Sequence, residues 1–251
     1  MDLGIDGRVA LVMGASKGIG RGIATALARE GARVAVASRS LGRLEEAAAS
    51  IEGETRAFEA DTDDLDRLAS LPDEVEATLG PVEILVTNTG GPPRGRALEN
   101  SIEEWEAAYR SLVLAPRVLV DAALPGMRER GWGRIVNVGS SSTIEPIPEL
   151  ALSNTHRAAA VGWFKTLSRE VAADGVTVNT IATGRFATER AAERYGGSLE
   201  RAEEDAREQV PAARLGTPEE YGDLVAFLAS ERAAYLTGAV IPLDGGMLRS
   251  V

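Results

Sequence analysis

Short apolar runs alternate along this chain with longer segments in which apolar and charged residues recur at helical spacing. The runs at 8–14 (RVALVMG), 32–38 (ARVAVAS), 55–61 (TRAFEAD), 82–88 (VEILVTN), 133–140 (GRIVNVGS), 176–183 (VTVNTIAT) and 238–244 (GAVIPLD) have the length of strands. They are apolar at successive positions rather than alternate ones, as strands covered on both faces are. The segments 18–31, 41–51, 62–80, 101–131, 153–175 and 218–230 read as helices, the third interrupted at Pro72. Strands separated by helices imply an α/β fold with a parallel sheet between two helical layers. Residues 185–215 are charged, least regular, and read as helical in pieces.

Composition narrows the function. A chain of 251 residues suits one large α/β domain or two small ones, and 44% hydrophobic with 26% charged residues can bury a core. No apolar run approaches the roughly 18 residues of a membrane span. The N-terminus (MDLGIDGR) has no basic start followed by an apolar stretch, so no secretory signal is expected and the reading is cytoplasmic. Zero cysteines exclude disulfides and thiolate metal sites, and one histidine, His156, excludes a histidine cluster. No metal site is assigned. A net charge of −11 argues against nucleic acid and anionic membranes as partners, and leaves a small-molecule substrate.

The turn between the first strand and the first helix reads VMGASKGIG, with Gly14, Gly18 and Gly20 spaced by Ser16, Lys17 and Ile19. The spacing G-x-x-x-G-x-G differs from the dinucleotide fingerprint G-x-G-x-x-G, but the physics is shared. Glycine permits the tight turn, lets a diphosphate approach the backbone, and places it on the positive end of a helix. Asp61 ends the third strand, where a carboxylate can accept from an adenine amino group. Asn88 and Gly90, in TNTGG, bring a second glycine-bearing turn to the carboxyl edge of the sheet, where ligands bind in such folds.

With these motifs the chain resembles the short-chain dehydrogenase/reductase family, β-ketoacyl-carrier-protein-reductase-like branch, over essentially its whole length. GASKGIG, EADTDD, TNTGG, GRIVNVGS, VTVNTIATG, RLGTPEEYGDLVAFLAS and YLTGAVIPLDGG match family landmarks in order. The resemblance implies one doubly wound Rossmann domain over residues 1–251, about seven strands, with 184–215 covering the substrate. It also implies a nicotinamide cofactor. NAD sites of the family carry an acidic residue at the end of the second strand; here stands Arg39, with Lys17 in the glycine-rich turn. Two cations suit NADP(H) better than NAD(H). The family's helices corresponding to 105–127 and 158–173 form a dimer seam and its last strand joins dimers, so a homo-oligomer, dimer or tetramer, is expected.

The family's reaction centre uses Asn, Ser, Tyr and Lys. Ser140 matches the serine. The tyrosine position, 13 residues on, holds Ser153, and the lysine position holds Arg157. The asparagine position falls on Leu112, the usual Pro-Gly after the sixth strand is Thr183-Gly184, and the threonine opening the glycine motif is Met13. A serine hydroxyl is far more basic than a phenol and ends roughly 4 Å short of it. Arg157 keeps a cation that could hold ribose hydroxyls, with another shape. Substitute acids are His156, against a role in packing, and Tyr195, against an ordinary place in the covering segment; Tyr109 reads as a packing residue. Glu145 and Glu149 could meet substrate or stay solvated, and Arg185 could meet an anion. The chain therefore reads as an NADP(H)-dependent oxidoreductase of carbonyl or alcohol substrates with an atypical site. The alternative is a catalytically inactive nucleotide-binding or assembly protein on the same fold. Cofactor-free dehalogenation ranks last, because the glycines are intact and the tyrosine is not.

Overall fold

The computed structural model describes residues 1–250. Seven strands form one sheet in the order β3-β2-β1-β4-β5-β6-β7. They are β1 (Val9–Met13), β2 (Arg33–Ser38), β3 (Thr55–Glu59), β4 (Ile84–Thr87), β5 (Gly133–Val138), β6 (Val176–Thr183) and β7 (Val240–Leu243). Every pair is parallel. All residues of β1, β4 and β5 are buried, because helices cover both faces and no alternate position meets water.

On one face α1 (Gly18–Arg29), α2 (Leu41–Ser50) and α9 (Pro218–Ala229) close a core around Val12, Ile23, Val36, Ile181, Tyr221 and Val225. Glycines bring α1 and α9 together: a Cβ at Gly22 would collide with the Pro218 carbonyl, and one at Gly222 with the Gly22 carbonyl. On the other face α3 (Leu65–Leu79), α5 (Ala115–Arg130) and α6 (Ala151–Val171) close a second core around Leu11, Leu71, Leu85, Leu119, Ile135 and Phe164. The two short helices α7 (Glu189–Glu193) and α8 (Leu199–Gln209) stand apart on a small cluster of Ala202, Ala206, Val210 and Leu215.

Two helices differ from the sequence expectation. α3 is not interrupted at Pro72 but runs through it. The ring removes one backbone donor, and burial of Leu68, Leu71, Pro72, Val75 and Leu79 on one side offsets that loss. The segment 101–131 is not one regular helix. It begins as α4 (Ile102–Tyr109), widens into a π turn over Arg110–Leu114, and continues as α5. Pro116 has no N–H to give the Leu112 carbonyl, and the Ala115 N–H instead reaches back to Arg110.

Inside the sheet a polar ladder crosses three strands. Thr87 Oγ1 donates to Asn137 Oδ1 at 3.1 Å, and Asn137 Nδ2 donates to Thr180 Oγ1 at 3.3 Å. The three residues are partners in register and all are buried. Each satisfies the next, so the ladder holds the carboxyl ends of β4, β5 and β6 level with one another.

Candidate active site

The carboxyl ends of β1, β4, β5 and β6 lie side by side along one edge of the parallel sheet. At β1 the chain turns through Gly14 (φ +62°) and Gly18 (φ +55°), backbone angles that favour glycine. A Cβ at Gly20 would collide with the Gly14 carbonyl, so α1 starts hard against the turn. Ser16 and Ile19 are half-buried beside it. No side chain caps α1 and no acidic residue lies in its first turn. The N–H groups of its first turn are therefore free at the positive end of the helix, as a phosphate site requires. Asn88, just beyond β4, donates to the Gly14 carbonyl at 3.4 Å and joins the two turns. A Cβ at Gly90 would meet nothing within 4 Å, so the cradle faces open space there.

The expected phosphate partners behave differently from one another. Arg39 stands exposed past β2 with no salt bridge among the described residues. Lys17 is paired with Glu189 of α7, and that contact holds the Glu189 carboxyl below its usual range. Asp61 is half-buried and turns one oxygen to the Asp63 N–H at 3.1 Å. Gly184 is packed against β7, where a Cβ would lie 2.5 Å from Asp244 Cα.

Ser140 caps a 3₁₀ turn over Ser141–Thr143, its Oγ accepting from the Ser142 N–H at 3.1 Å. Its own hydroxyl proton stays available. Ser153 and Arg157 are one turn apart on α6 and so share a side of it. Ser153 is 8% exposed. Arg157 bridges two strand ends, donating to the Val138 carbonyl at 2.8 Å and the Gly90 carbonyl at 3.3 Å. Burial pushes its pKa down to about 10; the Tyr221 phenol opposes the shift and the Arg190 guanidinium adds to it.

His156 and Tyr195 are not brought into this group. The His156 ring faces α4, edge-on to Trp105 at 5.1 Å and 6.1 Å from Tyr109, and its Nε2 has no hydrogen-bond partner. Burial pushes its pKa down. Leu112 packs nearby with Ala108, Leu152 and Trp105. The Tyr195 hydroxyl donates to Asp205 Oδ2 at 2.6 Å, and Asp205 is also paired with Arg185. Burial, then that bond, raises the Tyr195 pKa.

The carboxylates after β5 are engaged as well. Glu149 pairs with Arg94, and Glu145 accepts from the Arg249 and Ser250 N–H groups at 2.8 and 2.7 Å. Beside Glu149 lies an open cavity of about 440 Å³ lined by Gly95, Arg96, Ile147, Glu149 and Asn154.

Two residues with a place here were not singled out from sequence. Tyr221 of α9 is fully buried, its hydroxyl 2.8 Å from Thr183 Oγ1 at the end of β6, and burial raises its pKa. Arg190 of α7 lies over Gly91 and donates to the Pro92 carbonyl at 3.5 Å. The polar Thr183 where an apolar ring was expected was the available signal for Tyr221. Nothing marked Arg190 among so many arginines.

Known proteins match this chain in sequence and in fold. A family model described as enoyl-(acyl carrier protein) reductase matches residues 14–248. A 3-oxoacyl-(acyl-carrier-protein) reductase of Vibrio cholerae is 34% identical over 98% of this chain and 99% of its own length. Dehydrogenase/reductase SDR family member 4 of Homo sapiens is 33% identical over 95% of this chain and 87% of its own. Among solved structures, the L-sorbose reductase of Gluconobacter frateurii, complexed with NADPH and L-sorbose, superimposes with a TM-score of 0.93 at 32% identity, each chain fully covered.

Proposed function

The chain belongs to the short-chain dehydrogenase/reductase family, and from that premise we propose that it is an NADP(H)-dependent oxidoreductase of carbonyl or alcohol substrates with an atypical reaction centre. The observation that carries this is the intact cradle: the Gly14–Gly20 turn, the uncapped start of α1 and the open space at Gly90. Bound NADPH would supply the hydride. The N–H groups at the start of α1 would hold its diphosphate, Arg39 the 2′-phosphate and Asp61 the adenine amino group. Relatives bind the same cofactor: the sorbose reductase was solved with NADPH.

Within the site the free Ser140 hydroxyl gives a hydrogen bond to the substrate oxygen. Arg157, held by two backbone carbonyls, presents its remaining N–H groups to the ribose and to charge developing on that oxygen. Residues 184–215 act as the substrate cover. Their base is pinned where the Ala187 N–H meets the Gly216 carbonyl at 2.8 Å and the Gly216 N–H meets the Arg185 carbonyl at 3.0 Å. With Ser153 in place of a phenol, no side chain is a strong donor at the substrate oxygen, and the last proton comes from water or from the substrate. General acids contribute about 10²–10⁴-fold, so turnover of ordinary ketones should be lower by that range.

Titration with NADPH and NADH tests the reading. NADPH should bind more tightly, and Arg39→Asp should reverse the preference. Equal affinities, or binding of neither, would defeat it. The second reading, a nucleotide-binding protein without turnover, draws support from the diversion of His156 and Tyr195 away from the site. Tight NADPH binding with no oxidation of the cofactor across β-keto esters, quinones and aldehydes would favour it.

A further inference from the structure

Two guanidinium groups converge beside the site without a carboxylate between them. Arg157 reaches the Gly90 carbonyl from α6, while Arg190 covers Gly91 and reaches the Pro92 carbonyl from α7. The carbonyls they reach belong to Gly90 and Pro92, either side of Gly91, so the charges lie at one short turn past β4. Burial depresses the Arg157 pKa, and the like charge of Arg190 adds to that. Neither guanidinium forms a salt bridge with a carboxylate among the described residues.

This is unusual for the neighbourhood. Glu189 is taken by Lys17, Asp205 by Arg185 and Tyr195, Glu149 by Arg94, and Glu145 by two backbone N–H groups. The acidic side chains at the rim are thus engaged elsewhere, in a protein whose net charge is −11. A pair of cations left uncompensated there is an anion site waiting for its anion. Guanidinium forks match a carboxylate in shape and bind it with charge-assisted hydrogen bonds. The cofactor's diphosphate already has a separate cradle at α1, across the turn.

We propose that Arg157 and Arg190 together recognise a carboxylate carried by the substrate, making oxo acids rather than neutral ketones the substrate class. This rests on the reductase reading and narrows it. The site gives the forked guanidinium at position 157 a partner of matching shape, and it assigns Arg190 as a specificity-determining residue. An anion placed between the two groups relieves their repulsion, so binding should fall as salt is raised.

The test is binding to the full chain saturated with NADP⁺, where no turnover intervenes. Pyruvate, acetoacetate and levulinate are titrated by calorimetry, each against its methyl ester. The best acid should bind about 10–100-fold tighter than its ester, the range expected of hydrogen bonds to charged groups. Arg190→Gln should bring the acid down to the ester's level with NADP⁺ affinity unchanged. Acids and esters of equal affinity would overturn the proposal. So would an Arg190→Gln protein that loses NADP⁺ affinity and keeps its preference for acids, since Arg190 would then serve the cofactor's phosphates. The two readings fail separately. Acid preference without any turnover retains this site and removes the reductase, while turnover of neutral ketones without acid preference does the reverse.

Discussion

Arg157 is held by the Val138 and Gly90 carbonyls in a position where its shape, and not only its charge, matters. On the proposed register, Ser153→Tyr with Arg157→Lys supplies a phenol and a neighbouring ammonium. Turnover of a β-keto ester with NADPH should rise by at least tenfold over the parent, out of the 10²–10⁴-fold range of a general acid. An unchanged rate with NADPH still binding would place the deficit in Leu112 and the loop 145–150. His156 gives a second prediction. Its folded pKa lies below the ordinary 6.5 because of burial, so below pH 6.5 the unfolded chain binds a proton that the folded one refuses. Stability should therefore be full above pH 6.5 and fall as the pH drops through the window beneath it, by about 1.4 kcal/mol per unit of depression. Denaturant midpoints against pH would show it, and His156→Asn should flatten that limb. Glu220 titrates apart from this, since Arg214 holds it at about 2. At this scale the turn glycines, Ser140, Ser153 and Arg157 are candidates because family spacing numbers them. The sequence could not show that Lys17 would be occupied by Glu189 or that His156 would turn toward Trp105, since both depend on partners remote in the chain.

Among the elements, α9 illustrates how local rules and packing combine. Thr217 caps it, accepting from the Glu220 N–H at 3.2 Å, while Glu220 returns the bond to the Thr217 N–H at 2.9 Å. Pro218 begins the helix where its missing N–H does no harm, and Arg214 grips Glu220 through both guanidinium ends. Thr217→Ala should cost about 1 kcal/mol. In a chain of this size that lowers the melting temperature by roughly 2–4 °C, readable by calorimetry. The strands were legible because continuous apolar runs of this length have few other uses. The helix boundaries were less so. Pro72 reads as a break by propensity, but tertiary burial overrides it; the segment 101–131 reads as one helix, but it widens into a π turn over Arg110–Leu114. Both outcomes depend on what the helix leans against.

For the whole molecule the α4–α5 and α6 side carries the expectation of association. An open concavity on α4 and the π turn is lined by Ile102, Trp105, Tyr109 and Leu114 together with Asp63, Glu103, Glu106 and Arg110, and Ile102 is 69% exposed. A second copy would cover it, and light scattering at micromolar concentration should report a dimer or tetramer; a stable 26.4 kDa species would refute this. The fold class was readable at this scale from the alternation of runs alone. The arrangement of residues 185–215 was not, because α7 and α8 are small charged helices whose positions are decided by contacts such as Arg185–Asp205.

The strand order has a consequence in time. β1, β2 and β3 pair through crossovers within the first sixty residues, whereas the β1–β4 joint brings together Ala10 and Ile84. Closing that span is the slower entropic step, so the half-sheet should assemble early and wait for its second half. The glycine turn hangs from β1 at this same seam, with Asn88 just past β4 tied to Gly14. The nucleotide cradle is thus completed only when the two halves meet. A ligand in it acts as a latch on the last joint to close, and its grip would show first as a slower rate of coming apart.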